Sequence, residues 1–180
     1  MRNKTVLISG ANSGIGFATA HALARMGARI IMLCRNPSAG QKAQKTIVQA
    51  TQNDKVHLMI CDLLSVDSIS NFAHEFNSTY DQLDVLYNNA GAVFYDHQFT
   101  PAGIEYNFMV NYLGHFWLTH LLLSHLKSAK AGRIINITGM YHTKGAIDFQ
   151  NLQGEQHFRP FQAANNAQLA KGAVKNNLPI

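Results

Sequence analysis

Apolar positions in this chain come in two alternating patterns: short β-rich runs, and longer stretches of helical period. Thr5-Val6-Leu7-Ile8-Ser9 is a nearly continuous apolar run that leads into glycines. A helix is predicted over residues 15–26, stopped by Gly27, followed by a strand over 28–34, a polar helix over 37–51 and a strand over 56–61. Ser65 is a good N-cap for a helix reaching about residue 80, with Asp67 well placed near its positive end. Leu83 opens a fourth strand, and Arg133 opens a fifth that reaches Thr138. Residues 101–127 read as one long helix or a broken pair, capped by Thr100 with Pro101 in the first helical position. Strands with so little polar alternation are buried on both faces, which calls for a parallel sheet covered by helices on each side. Right-handed crossovers then wind the chain twice about the sheet.

Composition agrees. At 180 residues the length suits one domain with a core large enough to need no disulfide or metal. Hydrophobic residues make up 47% and charged residues 14%, which excludes intrinsic disorder. No apolar stretch approaches the ~20 residues of a membrane span. The net charge of +5 comes from scattered basic residues with no cationic run, so neither a nucleic-acid nor a membrane patch is expected. The nine histidines show no metal-ligand spacing, and His115, His120 and His125, five apart, spread around a helix. No metal site is predicted. Cys34 and Cys61 lie in apolar strand-like runs and read as buried thiols of a reducing compartment. Met1-Arg2-Asn3-Lys4 leads straight into the first strand without a signal peptide, so the expected location is the cytoplasm.

The chemistry begins at Gly10-Ala11-Asn12-Ser13-Gly14-Ile15-Gly16, between the first strand and the first helix. Glycines there let the backbone approach a pyrophosphate, and the N–H groups of the following helix stabilise its charge. The spacing is G-x-x-x-G-x-G. Cys61-Asp62-Leu63 closes the third strand and Asn88-Asn89-Ala90-Gly91 the fourth. Asn111 lies in Val110-Asn111-Tyr112-Leu113-Gly114-His115, and Arg133-Ile134-Ile135-Asn136-Ile137 forms the fifth strand.

These segments, in this order, resemble the short-chain dehydrogenase/reductase family. Ser9 stands where the family's phosphate-loop Thr is usual. The segment Phe149-Gln150-Asn151-Leu152-Gln153-Gly154-Glu155 is similar to the retinol-dehydrogenase-like subgroup. The resemblance covers about residues 4–168. It implies a Rossmann-like α/β fold, with a doubly wound parallel sheet of about five strands and helices on both faces. It also implies a cofactor site built from Gly10, Asn12, Ser13, Gly14, Ile15, Gly16, Arg35, Asn36, Asp62, Leu63, Asn89, Ala90 and Gly91. Asp62 and Leu63 match the pair that contacts adenine. The family works on carbonyl or alcohol substrates, which here implies a small apolar, retinoid-like compound, and its members often pair into homo-oligomers. An acidic residue ending the second strand would bond the NAD ribose; Cys34-Arg35-Asn36 stands there instead, and Arg35 suits a 2′-phosphate, so NADP is favoured over NAD.

Of the family's catalytic tetrad only Asn111 is present. The Ser position is Gly139, with Thr138 one residue early. The Tyr and Lys positions are Ala164 and Gln168, 25 and 29 residues past Gly139. Tyr141 with Lys144, or Lys171, are the nearest substitutes. Domain organisation is read as an incomplete nucleotide-binding domain over 1–161 and an atypical tail over 162–180. The chain ends ahead of the sixth and seventh strands that the family has, so the substrate side is expected to be incomplete and the fifth strand to be an exposed edge. Three readings stand: an oxidoreductase, a non-catalytic relative that binds cofactor or a partner, and the product of a reading frame disrupted after about Gln162.

Overall fold

A computed structural model describes residues 1–173, apart from the side chain of Tyr141. Five parallel strands, β1 (Thr5–Ser9), β2 (Arg29–Cys34), β3 (Val56–Ile60), β4 (Val85–Asn88) and β5 (Arg133–Asn136), pair in the order β3-β2-β1-β4-β5. The order reverses direction between β1 and β4, the switch point at which open α/β sheets bind ligands. Helices α1 (Gly14–Arg25), α2 (Pro37–Thr51) and α3 (Val66–Thr79) fill the crossovers. The predicted doubly wound α/β architecture is the one observed.

All five residues of β1 are buried, because this central strand has a helical layer on each face. One layer packs Val6, Ile8, Ile30 and Met32 under α1 and α2. Alanines at 20, 24 and 43 there bring the helices close to the sheet. The other packs Leu7, Ile31 and Leu86 under Phe72 and Phe76 of α3 and Leu118, Leu122 and Leu126. Both-face burial fails at the sheet's margins: β3 and β5 are edge strands, and each alternates buried or half-buried with exposed positions.

The predicted Ser65 cap is present, its hydroxyl accepting the Ser68 N–H at 3.1 Å. The predicted Thr100 cap is not. Gly103 N–H closes a turn on the Thr100 carbonyl at 2.8 Å, and Gly103 takes φ +75°, which ends any helix there. The helix begins instead at α4 (Tyr106–Phe108), capped by the Glu105 carboxylate, which accepts from Asn107 and Phe108 N–H. It widens into a π turn (Met109–Leu113), continues as α5 (Gly114–Leu121) and α6 (Leu123–Ser128), and so realises the broken pair. After β5 come a short 3₁₀ helix (Met140–Lys144) and α7 (Pro160–Ala173). No helix among the described residues is long and apolar enough to cross a membrane.

Helix α7 runs across the expected boundary between residues 161 and 162; residues 174–180 of the expected tail lie outside the described residues. Ala164, Ala167 and Ala170 form a buried stripe at helical spacing. The amide side chains on its other faces bond the loop after β5: Gln162 Nε2 donates to the Lys144 carbonyl at 3.0 Å, and Asn166 Oδ1 accepts the Ala146 N–H at 2.9 Å.

Candidate functional site

The strand ends around the switch point enclose a cleft of about 360 Å³. From β1 and the turn after it come Ser9, Gly10, Asn12 and Ser13; from β2, Leu33, Arg35 and Asn36; from β3, Cys61, Asp62 and Leu63; from β4, residues 89–92. Phe94 and Val110 close the far side. Ten of the thirteen residues predicted to hold cofactor therefore line one cleft. Gly14, Ile15 and Gly16 do not line it; they form the first turn of α1 behind it. The sequence reading missed Leu33, Cys61, Ala92, Phe94 and Val110, which carry no chemical signature and enter only through the fold.

The phosphate loop requires its glycines for separate reasons. Gly10 and Gly14 have φ of +67° and +54°, where other residues are strained. Any side chain at Gly16 would strike the Gly10 carbonyl and the Asn89 amide. Ser13 makes no side-chain capping bond, so N–H groups at the positive end of α1 are left for a ligand. This uncapped helix end, reached from Asn12 and Ser13 on the cleft, fits the pyrophosphate of a nicotinamide dinucleotide.

The loop after β4 is fixed from two sides. Ser9 Oγ accepts the N–H groups of Asn89 (2.9 Å) and Ala90 (3.0 Å), while Asn89 Nδ2 returns a bond to the Ser9 carbonyl at 2.9 Å. Asn111, buried on the π turn, accepts from Ala92 N–H at 3.0 Å and donates to the carbonyls of Ala92 (2.8 Å) and Asn107 (3.0 Å). Both of its N–H hydrogens and one lone pair of its oxygen are used, two of the three bonds going to Ala92 in this loop. Asn36 has a double role: it lines the cleft and caps α2, accepting the Ala39 N–H at 2.9 Å. Asp62 Oδ1 accepts the Leu64 N–H at 3.0 Å, which shapes the turn out of β3.

Gly139 and Gln168 meet, the Gln168 Oε1 accepting the Gly139 N–H at 2.6 Å, and Ala164 is buried. Lys171 is not at the cleft. It is 3% exposed, in a small cavity with Asn88, His115, Thr119 and Asn136 between the β4–β5 edge and α7. Burial pushes its amine down to about 7. Lys144 and the backbone of Tyr141 lie on the 3₁₀ helix after β5; the Tyr141 side chain lies outside the described residues. Burial pushes the free thiols of Cys34 and Cys61 up to about 11 and about 12, so neither is a nucleophile at neutral pH.

Residues 4–151 match the short chain dehydrogenase family. Among curated proteins, the chain is 42% identical over 155 residues to retinol dehydrogenase 12 of Bos taurus, covering 86% of this chain and 49% of that protein. It is 41% identical over 167 residues to human retinol dehydrogenase 11, covering 93% and 52%. The chain thus spans about half the length of these relatives. Among solved structures, an uncharacterized protein from Mycobacterium Paratuberculosis superposes with a TM-score of 0.81 at 34% identity, covering 94% of this chain and 59% of that one. A short chain dehydrogenase from Shigella flexneri 2a str. 301, complexed with NADP, shares the fold with a TM-score of 0.75 at 23% identity, covering 97% and 70%. With the phosphate loop, the strand-end cleft and the match over most of its length, this chain belongs to the short-chain dehydrogenase family.

Proposed function

We propose that the chain binds NADP(H) in the strand-end cleft and, with the residues it has, turns over carbonyl or alcohol substrates very slowly or not at all. The observation that carries the reading is Arg35 on the same cleft as Asn12 and Ser13, the residues that lead into the uncapped N-terminus of α1. That helix end takes the pyrophosphate. Arg35 offers a permanently charged fork to the ribose 2′-phosphate. Asp62 and Leu63 border the adenine end, and the loop 89–91 forms the wall beneath the rest of the dinucleotide. The NADP bound by the Shigella flexneri fold neighbour is the cofactor this reading names.

When bound, the nicotinamide gives or takes a hydride. The substrate oxygen must then gain or lose a proton, and the three positions matched to the family's catalytic Ser, Tyr and Lys carry no group for that. Ala164 has no hydroxyl, Gln168 no charge to lower a phenol's pKa, and Gly139 no side chain to polarise a carbonyl. Loss of one general acid/base lowers a rate by about 10²–10⁴, and members of one catalytic unit are not additive. The retinol dehydrogenase relatives support a small apolar, retinoid-like alcohol or aldehyde as the ligand class. Homo-oligomerisation through the helical run beginning at α4 fits the family habit. Two free buried thiols suit a reducing compartment, which supports a cytoplasmic location.

The test is thermal unfolding with NADPH or NADH. A ligand that binds only the folded state stabilises it by about 2.7 kcal/mol at a hundred times its Kd. NADPH is expected to raise the midpoint more than NADH does. No rise at millimolar NADPH overturns the proposal.

A further inference from the structure

His115 is 1% exposed on α5, and the nucleotide reading makes no use of it. Its Nε2 is 2.9 Å from Ser9 Oγ, the oxygen that also accepts the N–H groups of Asn89 and Ala90. A hydroxyl has two lone pairs and one hydrogen. Both lone pairs of Ser9 are taken by the loop amides. The contact with the ring must therefore use the Ser9 hydrogen, and Nε2 must be bare. The other acceptor within reach, the Tyr87 carbonyl, is farther off at 3.5 Å.

A neutral ring with bare Nε2 carries its proton on Nδ1. Nδ1 has no partner at full hydrogen-bond geometry, and the Val110 carbonyl on the π turn is the acceptor that favours a proton there. A protonated ring would carry a hydrogen on Nε2 as well, facing an oxygen with no free lone pair. One loop amide would then have to let go, and both amides belong to the wall of the cleft.

We propose that His115 is a positioning residue of the cleft: as the Nδ1–H tautomer it takes the Ser9 hydroxyl hydrogen, so that Ser9 can hold the amides of Asn89 and Ala90, and protonation of the ring releases that loop. The hydrogen-bond count stands without a ligand; only its consequence for binding rests on the nucleotide reading.

The surroundings keep the ring neutral. Burial is the larger effect and the charge of Lys171, from α7, the next; among the described residues no carboxylate acts on it. Tyr112 and Thr119 on its own helical run, Asn88 on β4 and Asn136 on β5 complete that side.

The test uses the full chain, labelled with ¹⁵N, from about pH 8 down to about pH 5. Ring spectra should show Nε2 as an unprotonated acceptor and Nδ1 carrying the proton. Hydrogen-exchange protection of the Asn89 and Ala90 amides, corrected for intrinsic rates, should fall about tenfold per pH unit below about 6.5. In His115→Gln, an acceptor oxygen that does not titrate, that pH dependence should vanish. A proton on Nε2 at neutral pH overturns the proposal, as does protection that stays flat in the parent chain. If His115→Gln does not fold, the ring spectra of the parent chain decide. NADPH affinity that falls in step with the protection supports both readings. The expected tautomer and protection without NADPH binding at any pH sink the nucleotide reading and leave the His115 assignment standing.

Discussion

Gln168 closes on Gly139: the glutamine Oε1 accepts the glycine N–H at 2.6 Å, joining α7 to the end of β5. The resemblance matches these two residues to the family's Lys and Ser positions; on that reading the fold brings together the places where chemistry would occur without supplying the groups for it. Gln168→Lys is therefore expected to fail as a repair. An ammonium has donors only and cannot accept the Gly139 N–H. The variant should lose about 0.5–1.5 kcal/mol in chemical denaturation. NADPH oxidation with a panel of aldehydes, retinal included, should stay at background for the parent chain and for Gln168→Lys. Turnover at an ordinary enzymatic rate, about 1 s⁻¹ or faster, in either contradicts the account.

Asn111 holds the loop after β4 with two half-buried bonds to Ala92, and a third, buried bond to the Asn107 carbonyl ties it to α4. Asn111→Asp keeps its shape but turns a carboxylate oxygen toward the carbonyls of Ala92 and Asn107. It should destabilise by about 2–3 kcal/mol at neutral pH. The loss should shrink in acid, where a protonated Asp donates again. Equal losses at both pH values in urea unfolding would count against a purely hydrogen-bonding role.

The proposed NADP preference rests on Arg35. Arg35→Ala should weaken NADPH by about 1.5–3 kcal/mol, roughly tenfold or more, the range for hydrogen bonds to charged groups. NADH should be almost unaffected. Fluorescence titration of both cofactors measures the difference, and equal weakening of the two would sink the assignment.

Lys171 gives a stability curve of definite sign. Its amine is near 7 when folded and at the ordinary 10.5 when unfolded. Between these values the unfolded chain binds more protons, so stability rises with pH and is lost as pH falls toward 7. Above 9.0 the two thiols work the other way: they ionise in the unfolded chain while folding holds their protons to about 11 and about 12. The net rise should run from about pH 7 to about pH 9. Lys171→Met should remove the rise and stabilise the chain at neutral pH. Denaturation midpoints across that range decide it.

The sheet was legible because its strands are short apolar runs between turn signals, and the phosphate loop because its glycines stand at a strand–helix junction. The start of α4 was not. Thr100 and Pro101 carry the usual marks of a helix start, but Gly103 breaks the turn, and Glu105 is an uncommon cap. The π turn at Asn111 leaves no trace in apolar spacing. In α7 the core face is alanine, too weakly apolar to stand out from its Asn and Gln neighbours. Only the fold reveals that those amides bond the loop after β5. Lys171 stood among the nearest substitutes for the missing catalytic groups, but the helix turns it away from the cleft and toward His115.

The central claim is that the cleft binds the nucleotide although the catalytic trio is gone. The most direct measurement is one cuvette holding the chain, NADPH and retinal, read for nicotinamide fluorescence and absorbance together. The account predicts a saturable fluorescence change with no decay of the NADPH absorbance. Decay in proportion to the chain at about 1 s⁻¹ or faster, or no fluorescence change at millimolar NADPH, would contradict it.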